Sequence, residues 1–131
     1  MSTLRVTIDT REKLPFAFEG PSYSGTITVA GTLQVGDYAP AGLGDLCAVE
    51  RKSLPDLILC LSHERDRFER ELQRAAALES FCVVVEASWA DIAQGNYRSK
   101  MSSHSACQSV LALSCRHRAP VLDAGRRAAG E

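Results

Sequence analysis

Apolar and polar positions change their period along the chain, and each change marks an element. Leu4, Val6 and Ile8 alternate with polar residues, the two-residue repeat of a strand. That strand runs into Asp9-Thr10-Arg11-Glu12. Lys13-Leu14-Pro15-Phe16 follows as a turn or extended edge, because Pro15 cannot donate to a ladder. Thr26 to Ala30, β-branched and alternating between Gly25 and Gly31, reads as a second strand. Leu33-Gln34-Val35 extends it toward Gly36-Asp37-Tyr38. Pro40, Gly42 and Gly44 make residues 39–45 a turn, and Leu46 to Glu50 is a short, mostly buried strand. The spacing predicts that the second strand and this one pair as a hairpin.

The period then lengthens. Ser53 is a suitable N-cap with Pro55 in the first turn, and Leu54, Leu57, Ile58 and Leu61 mark one helical face. From Glu64 to Leu78 the stripe continues through Phe68, Leu72 and Ala75, with Arg65–Glu69, Asp66–Arg70 and Arg67–Glu71 spaced as i,i+4 pairs. The pattern leaves open one bent helix or two. Phe81 to Val85 is a continuous apolar run, as in a central strand covered on both faces. Ser103 to Arg116 reads as a helix, Pro120-Val121-Leu122 as a last short strand, and Gly125 to Ala129 as the start of a final helix. This order predicts an α/β domain: a mixed central sheet with helices on both faces.

The length of 131 residues suits one domain over 1–131. A hydrophobic content of 45% and a charged content of 24% belong to an ordinary globular chain, and no apolar run reaches bilayer-spanning length. The start of the chain has no apolar signal-peptide core, so a cytoplasmic location and no membrane are expected. Cys47, Cys60, Cys82, Cys107 and Cys115 are odd in number and show no Cys-x-x-Cys spacing, so they read as reduced thiols rather than a disulfide framework or a zinc site. The net charge of −1 is uneven: residues 92–131 carry 6 basic and 2 acidic side chains. That last third is either a solvated surface or a face for a polyanion.

One segment concentrates chemistry: Gly36-Asp37, then Glu50-Arg51-Lys52, then Asp56. Strand alternation puts Glu50 and Lys52 on one face and Arg51 on the other. If the flanking strands pair, Asp37 and Glu50 meet at one sheet end. Two close carboxylates repel unless a cation lies between them, and oxygen donors suit Mg²⁺ or Mn²⁺. A lysine two residues from the glutamate can hold a water or offset charge on a reacting phosphate. For these three residues alone, a surface cluster at a strand end is the competing reading.

The full string resembles the signature of the XPF/Mus-type structure-specific endonuclease domain. Asp9-x-Arg11-Glu12, the run from Arg65 to Leu72, Phe81 to Glu86 and Tyr97-Arg98-Ser99 extend the resemblance over nearly the whole chain. It implies a restriction-endonuclease-like fold, metal-dependent hydrolysis of DNA, and a preference for branched or flapped duplexes in repair or recombination. It implies Asp37 and Glu50 as metal ligands, with the Arg51 backbone carbonyl completing them, and Lys52 as the catalytic lysine. Arg51 and Asp56 would orient the cluster or contact DNA; Asp9 and Glu12 would be accessory acids, or Asp9 and Asp56 would simply hold Arg11 or Arg51. Arg11, Arg65, Arg98 and Lys100 are the expected DNA contacts. Relatives pair through this domain, so a homodimer through the helix of residues 103–116 is expected. Within 131 residues there is no room for a helicase or helix-hairpin-helix domain. The alternative function is a non-catalytic DNA-binding or scaffold module of the same fold.

Overall fold

A computed structural model describes residues 4–18 and 21–125. The strands are β1 (Leu4–Asp9), β2 (Thr26–Gly31), β3 (Tyr38–Pro40), β4 (Cys47–Lys52), β5 (Ser80–Val85) and β6 (Val121–Asp123). The helices are α1 (Leu54–Leu61), α2 (Arg65–Ala75), α3 (Trp89–Ala93) and α4 (Ser103–His117). The strands form one mixed sheet in the order β2-β1-β3-β4-β5-β6. β1 pairs parallel with β2, β4 with β5 and β5 with β6, while β3 is antiparallel to both β1 and β4. The C-terminal ends of β1, β4, β5 and β6 therefore share one edge. The α/β mixed sheet is the architecture that the sequence pattern predicts.

The alternation of β5 drives the packing. Phe81, Val83 and Val85 enter the core with Leu57, Leu61, Phe68, Leu72, Val110 and Leu113 of the helices. The other face carries Val49 and Val84 into an open apolar groove of about 580 Å³, flanked by Phe16, Phe18 and Tyr23. Phe16 and Phe18 meet edge to face at 5.0 Å between centroids.

Three local expectations are corrected. β2 does not pair with β4; it lies parallel to β1, and β4's antiparallel partner is β3, which starts at Tyr38 and runs into the stretch 39–45 that reads as a turn. Leu33 and Val35 do not continue β2, because both leave the ladder to bury their side chains, Val35 in the main core. None of the three i,i+4 pairs of α2 is among the ion pairs of the described residues: Arg67 bonds Glu64, Glu69 bonds Arg116, and Arg65 bonds Ser109 of α4. These side chains tie the helix to its surroundings instead of to itself.

The helical stretch 54–75 is two helices. Ser53 caps α1 by accepting from Asp56 N–H, and at Ser62 the hydroxyl turns back to the Ile58 carbonyl at 2.7 Å. α3, too short for a periodicity reading, opens with a reciprocal Ser88/Asp91 capping box. The final helix read from Gly125 to Ala129 lies, after Gly125, outside the described residues. Among the described residues no helix is long and apolar enough to cross a membrane.

Candidate active site

The Gly-Asp of the motif has a steric reason. Gly36 has φ +87°, and a Cβ there would stand 2.9 Å from Ala48 Cβ and 3.2 Å from the Val49 carbonyl oxygen. Only glycine accepts both the left-handed backbone and this approach to β4. Asp37 is then fixed from both sides: its N–H donates to Val49 O at 2.8 Å, and its carbonyl accepts from Asp9 N–H at 2.8 Å. Its carboxylate accepts from Arg51 N–H at 2.8 Å.

Glu50, on the helix-facing side of β4, lies within hydrogen-bonding reach of both Asp37 and Glu71 of α2. Burial first, and then these two carboxylates, push its carboxyl well above the ordinary range. The predicted meeting of Asp37 and Glu50 is thus present, with a third carboxylate that the motif did not announce.

Lys52 shares that face. Its ammonium stands 5.3 Å above the Phe68 ring. Burial lowers the proton affinity of Lys52, but the negative charges of Glu50 and Glu71 outweigh it, and the net shift is upward. Lys52 therefore stays an ammonium. Cys60 hydrogen-bonds to Lys52, yet burial dominates and raises its thiol. A cleft of about 190 Å³ opens here, lined by Lys52, Asp56, Cys60, Arg67, Phe68 and Glu71. It is smaller than the apolar groove and is lined by Lys52, whereas Arg51 and Glu86 line the groove.

On the opposite face Arg51 is clamped. Its Nε and Nη2 donate to the two Glu12 oxygens at 2.7 Å each, and its Nη1 donates to Glu86. The Arg51 and Glu12 side chains are only 16% and 5% exposed, so this is a largely desolvated pair. The Arg51 hydrogen bond is the main cause holding Glu12 below the usual carboxylate range. Asp9 is 2% exposed and accepts from Arg11 Nε, Arg11 N–H and Leu33 N–H. Burial raises Asp9, but these bonds prevail and its carboxyl titrates low.

Of the other predicted residues, Asp56 lies at the cleft rim in the first turn of α1. Arg11 is largely exposed, and its guanidinium feels the charges of Asp37 and Glu50. Arg65 donates to Ser109 Oγ at 2.8 Å. Arg98 and Lys100 are exposed between α3 and α4. Glu71, Cys60 and Phe68 were missed as cleft groups. Phe68 and Glu71 fall one turn apart on α2, a signal that becomes readable only once α2 is placed over β4.

Among the described residues no group of three or more His, Cys, Asp or Glu side chains is arranged to hold a metal ion. What Asp37 and Glu50 offer a cation is a pair of carboxylates within reach of each other. That composition fits Mg²⁺ or Mn²⁺, which retain several waters.

The family model described as ERCC4 domain matches residues 8–127. The chain belongs to the ERCC4-domain family. This ERCC4 domain is similar in fold to XPF from Aeropyrum pernix, with a TM-score of 0.68 and 23% identity over 93% of this chain and 54% of that one. A second structure, XPF from Aeropyrum pernix in complex with DNA, gives a TM-score of 0.70 and 22% identity over 94% and 57%. The ERCC4 domain thus spans a little over half the length of those chains. No curated protein sequence matches it significantly.

Proposed function

We propose that this ERCC4 domain is an endonuclease that hydrolyses phosphodiester bonds in DNA with Mg²⁺ or Mn²⁺. One observation carries the reading: Asp37 and the buried Glu50 lie within hydrogen-bonding reach of each other, and the Lys52 ammonium stands near enough to feel the Glu50 charge. Buried like charges at this spacing call for a cation. Asp37, Glu50 and the Arg51 carbonyl would hold it, and once bound it would supply an activated water and a polarised phosphate.

The chain's own groups do the rest. Lys52, protonated and held above Phe68, offsets charge developing on the phosphate. Arg51 and Glu12 keep β4 and the Asp37 backbone in place. Asp56 shapes the rim, and Asp9 holds Arg11 near the acidic pair. Arg11, Arg98 and Lys100 are the proposed phosphate contacts, with Arg65 contributing through nitrogens not engaged by Ser109. The similar fold of XPF from Aeropyrum pernix, solved in complex with DNA, supports nucleic acid as the partner. Branched or flapped duplex is the proposed substrate form. Leu111 on α4, 58% exposed, is a candidate homodimer contact. The free thiols suit a reducing, cytoplasmic setting.

The test is cleavage of flap, fork, junction and linear duplexes in Mg²⁺ or Mn²⁺. Asp37→Asn and Glu50→Gln keep shape, lose charge, and should abolish cleavage without changing DNA affinity. Lys52→Ala should slow it by about 10²-fold or more. If Glu50→Gln cuts at the wild-type rate, the assignment is wrong. If folded wild-type protein cuts nothing but binds a protein partner, the scaffold reading replaces it.

A further inference from the structure

Gly36-Asp37 runs directly into Tyr38, a residue to which the cleavage scheme gives no role. Tyr38 opens β3 with its side chain buried. Its hydroxyl is used twice: it accepts from Phe16 N–H at 2.8 Å and donates to Glu12 Oε2 at 3.3 Å. Glu12 in turn grips Arg51, accepting Nε on Oε2 and Nη2 on Oε1 at 2.7 Å each. The same Arg51 gives its backbone N–H to the Asp37 carboxylate at 2.8 Å. These contacts close a ring. It leaves Asp37 along the chain to Tyr38, crosses to Glu12 and Arg51, and returns to the carboxylate of Asp37.

The Asp37 main chain is held by Val49 and Asp9, but those bonds leave its side-chain torsion open. Arg51 N–H aims the carboxylate, and the Arg51 guanidinium stays in place only while Glu12 does. Besides Arg51, Glu12 is held by Leu14 N–H at 3.2 Å and by the Tyr38 hydroxyl. The Leu14 bond is local, two residues along the segment that carries Glu12 beyond β1. The Tyr38 bond comes from the strand that follows Asp37. It is the contact that ties the clamp to the residue the clamp aims.

We propose that Tyr38 is a positioning residue: its hydroxyl, acting through Glu12 and Arg51, sets the direction of the Asp37 carboxylate toward the cation. The inference rests on the metal-dependent reading above and deepens it. A buried tyrosine hydroxyl needs a partner for stability alone. A merely structural Tyr38 would therefore add to the melting temperature and nothing to the carboxylate.

Tyr38→Phe removes the hydroxyl and keeps the ring. Wild type, Tyr38→Phe and Asp37→Asn are compared by calorimetric titration with Mn²⁺ alone and by thermal melting without metal. Wild type and Tyr38→Phe are also compared in cleavage of a flapped duplex, well below the lower Tm. Groups bonded to a metal's ligands matter about 10- to 100-fold, and for a group one bond further out the lower figure applies. Tyr38→Phe should therefore bind Mn²⁺ about 10-fold more weakly and lose a similar factor in kcat, with KM for DNA unchanged. A lower Tm with wild-type Mn²⁺ affinity and kcat makes Tyr38 structural and overturns the proposal, as does a Tyr38→Phe protein that does not fold. A raised KM with kcat intact assigns the hydroxyl to DNA binding and overturns it too. In each of these cases the metal reading stands if Asp37→Asn has lost Mn²⁺. Equal Mn²⁺ binding by wild type and Asp37→Asn removes the metal reading itself, and this proposal with it.

Discussion

Replacing Arg51 by alanine tests what holds the active strand in place. The substitution removes three charge-assisted hydrogen bonds, two to Glu12 and one to Glu86. The loss of favourable pairing is the smaller effect. The larger is that Glu12, with a side chain 5% exposed, is left as a buried carboxylate facing no cation. Removing one partner of a buried pair costs about 3–5 kcal/mol. Arg51 and Glu86 keep 16% and 17% exposure, so water can enter the gap, and the lower part of the range, about 3–4 kcal/mol, applies. With an unfolding entropy of about 2.1 cal/mol/K per residue over 131 residues, that is a fall in Tm of roughly 10–15 °C.

The pH dependence gives the sign. In the wild type Glu12 titrates below its unfolded value, so its stabilisation is present above that value and lost as pH falls through the folded one. In Arg51→Ala the burial that opposes ionisation is no longer countered by Arg51. The Tm gap between the two proteins should be widest near neutral pH and close only as pH falls through the lowered folded value of wild-type Glu12, below the ordinary glutamate range. Calorimetric melts across that range are the assay. A gap under about 4 °C at pH 7, or one unchanged on acidification, refutes the reasoning.

Other outcomes follow from the same geometry. Gly36→Ala forces a β-carbon onto Ala48 at a left-handed backbone position; it should cost at least about 1–2 kcal/mol and reduce cleavage by displacing Asp37, read by melting and turnover together. Asp9 titrates low in the fold, so Asp9→Asn should remove part of the stability that the wild type holds above about pH 4 and loses in acid, seen as a flatter melting profile from pH 6 to pH 2. A DNA footprint of about 3–5 phosphates is expected, which would give a log–log salt slope near −3 to −5. Arg98→Ala or Lys100→Ala should lower affinity on all sequences alike; tight binding indifferent to salt would contradict this.

Much of the site was legible because backbone rules fix it. Alternation in Cys47–Lys52 separates Glu50 and Lys52 from Arg51 whatever the tertiary fold. The glycine before Asp37 was readable only as part of the motif; the structure supplies the neighbour that requires it. Strand identity was readable at Thr26–Gly31, but its partner was not: alternation reports that one strand has two faces, not which edge accepts it. Leu33 and Val35 look like continued strand because the two-residue repeat survives where the ladder has ended. The charges of α2 were the least legible. Each of Arg65, Arg67 and Glu71 has an i,i+4 neighbour, yet Ser109, Glu64 and Glu50 are the partners they reach. An exposed intrahelical pair contributes only about 0.3–0.5 kcal/mol, too little to outweigh tertiary alternatives.

The three consecutive residues Glu50-Arg51-Lys52 show why one strand can serve two purposes. A slip of β4 by one residue would send Arg51 into the acidic cleft and Glu50 into the apolar groove. Register is therefore a condition for chemistry as well as for folding. The Arg51 guanidinium reaches Glu12, beyond the end of β1, and Glu86, just past β5, so a single side chain spans the β1 and β5 ends of the sheet. Its backbone N–H holds the Asp37 carboxylate, and Lys52 O accepts from Glu86 N–H at 2.9 Å. Each bond becomes wrong if β4 moves. The arginine acts from the face away from Glu50 and Lys52; on the proposed metal-dependent reading, a guanidinium on their face would compete with the cation. Alternation keeps that charge on one side of the strand and its anchor on the other.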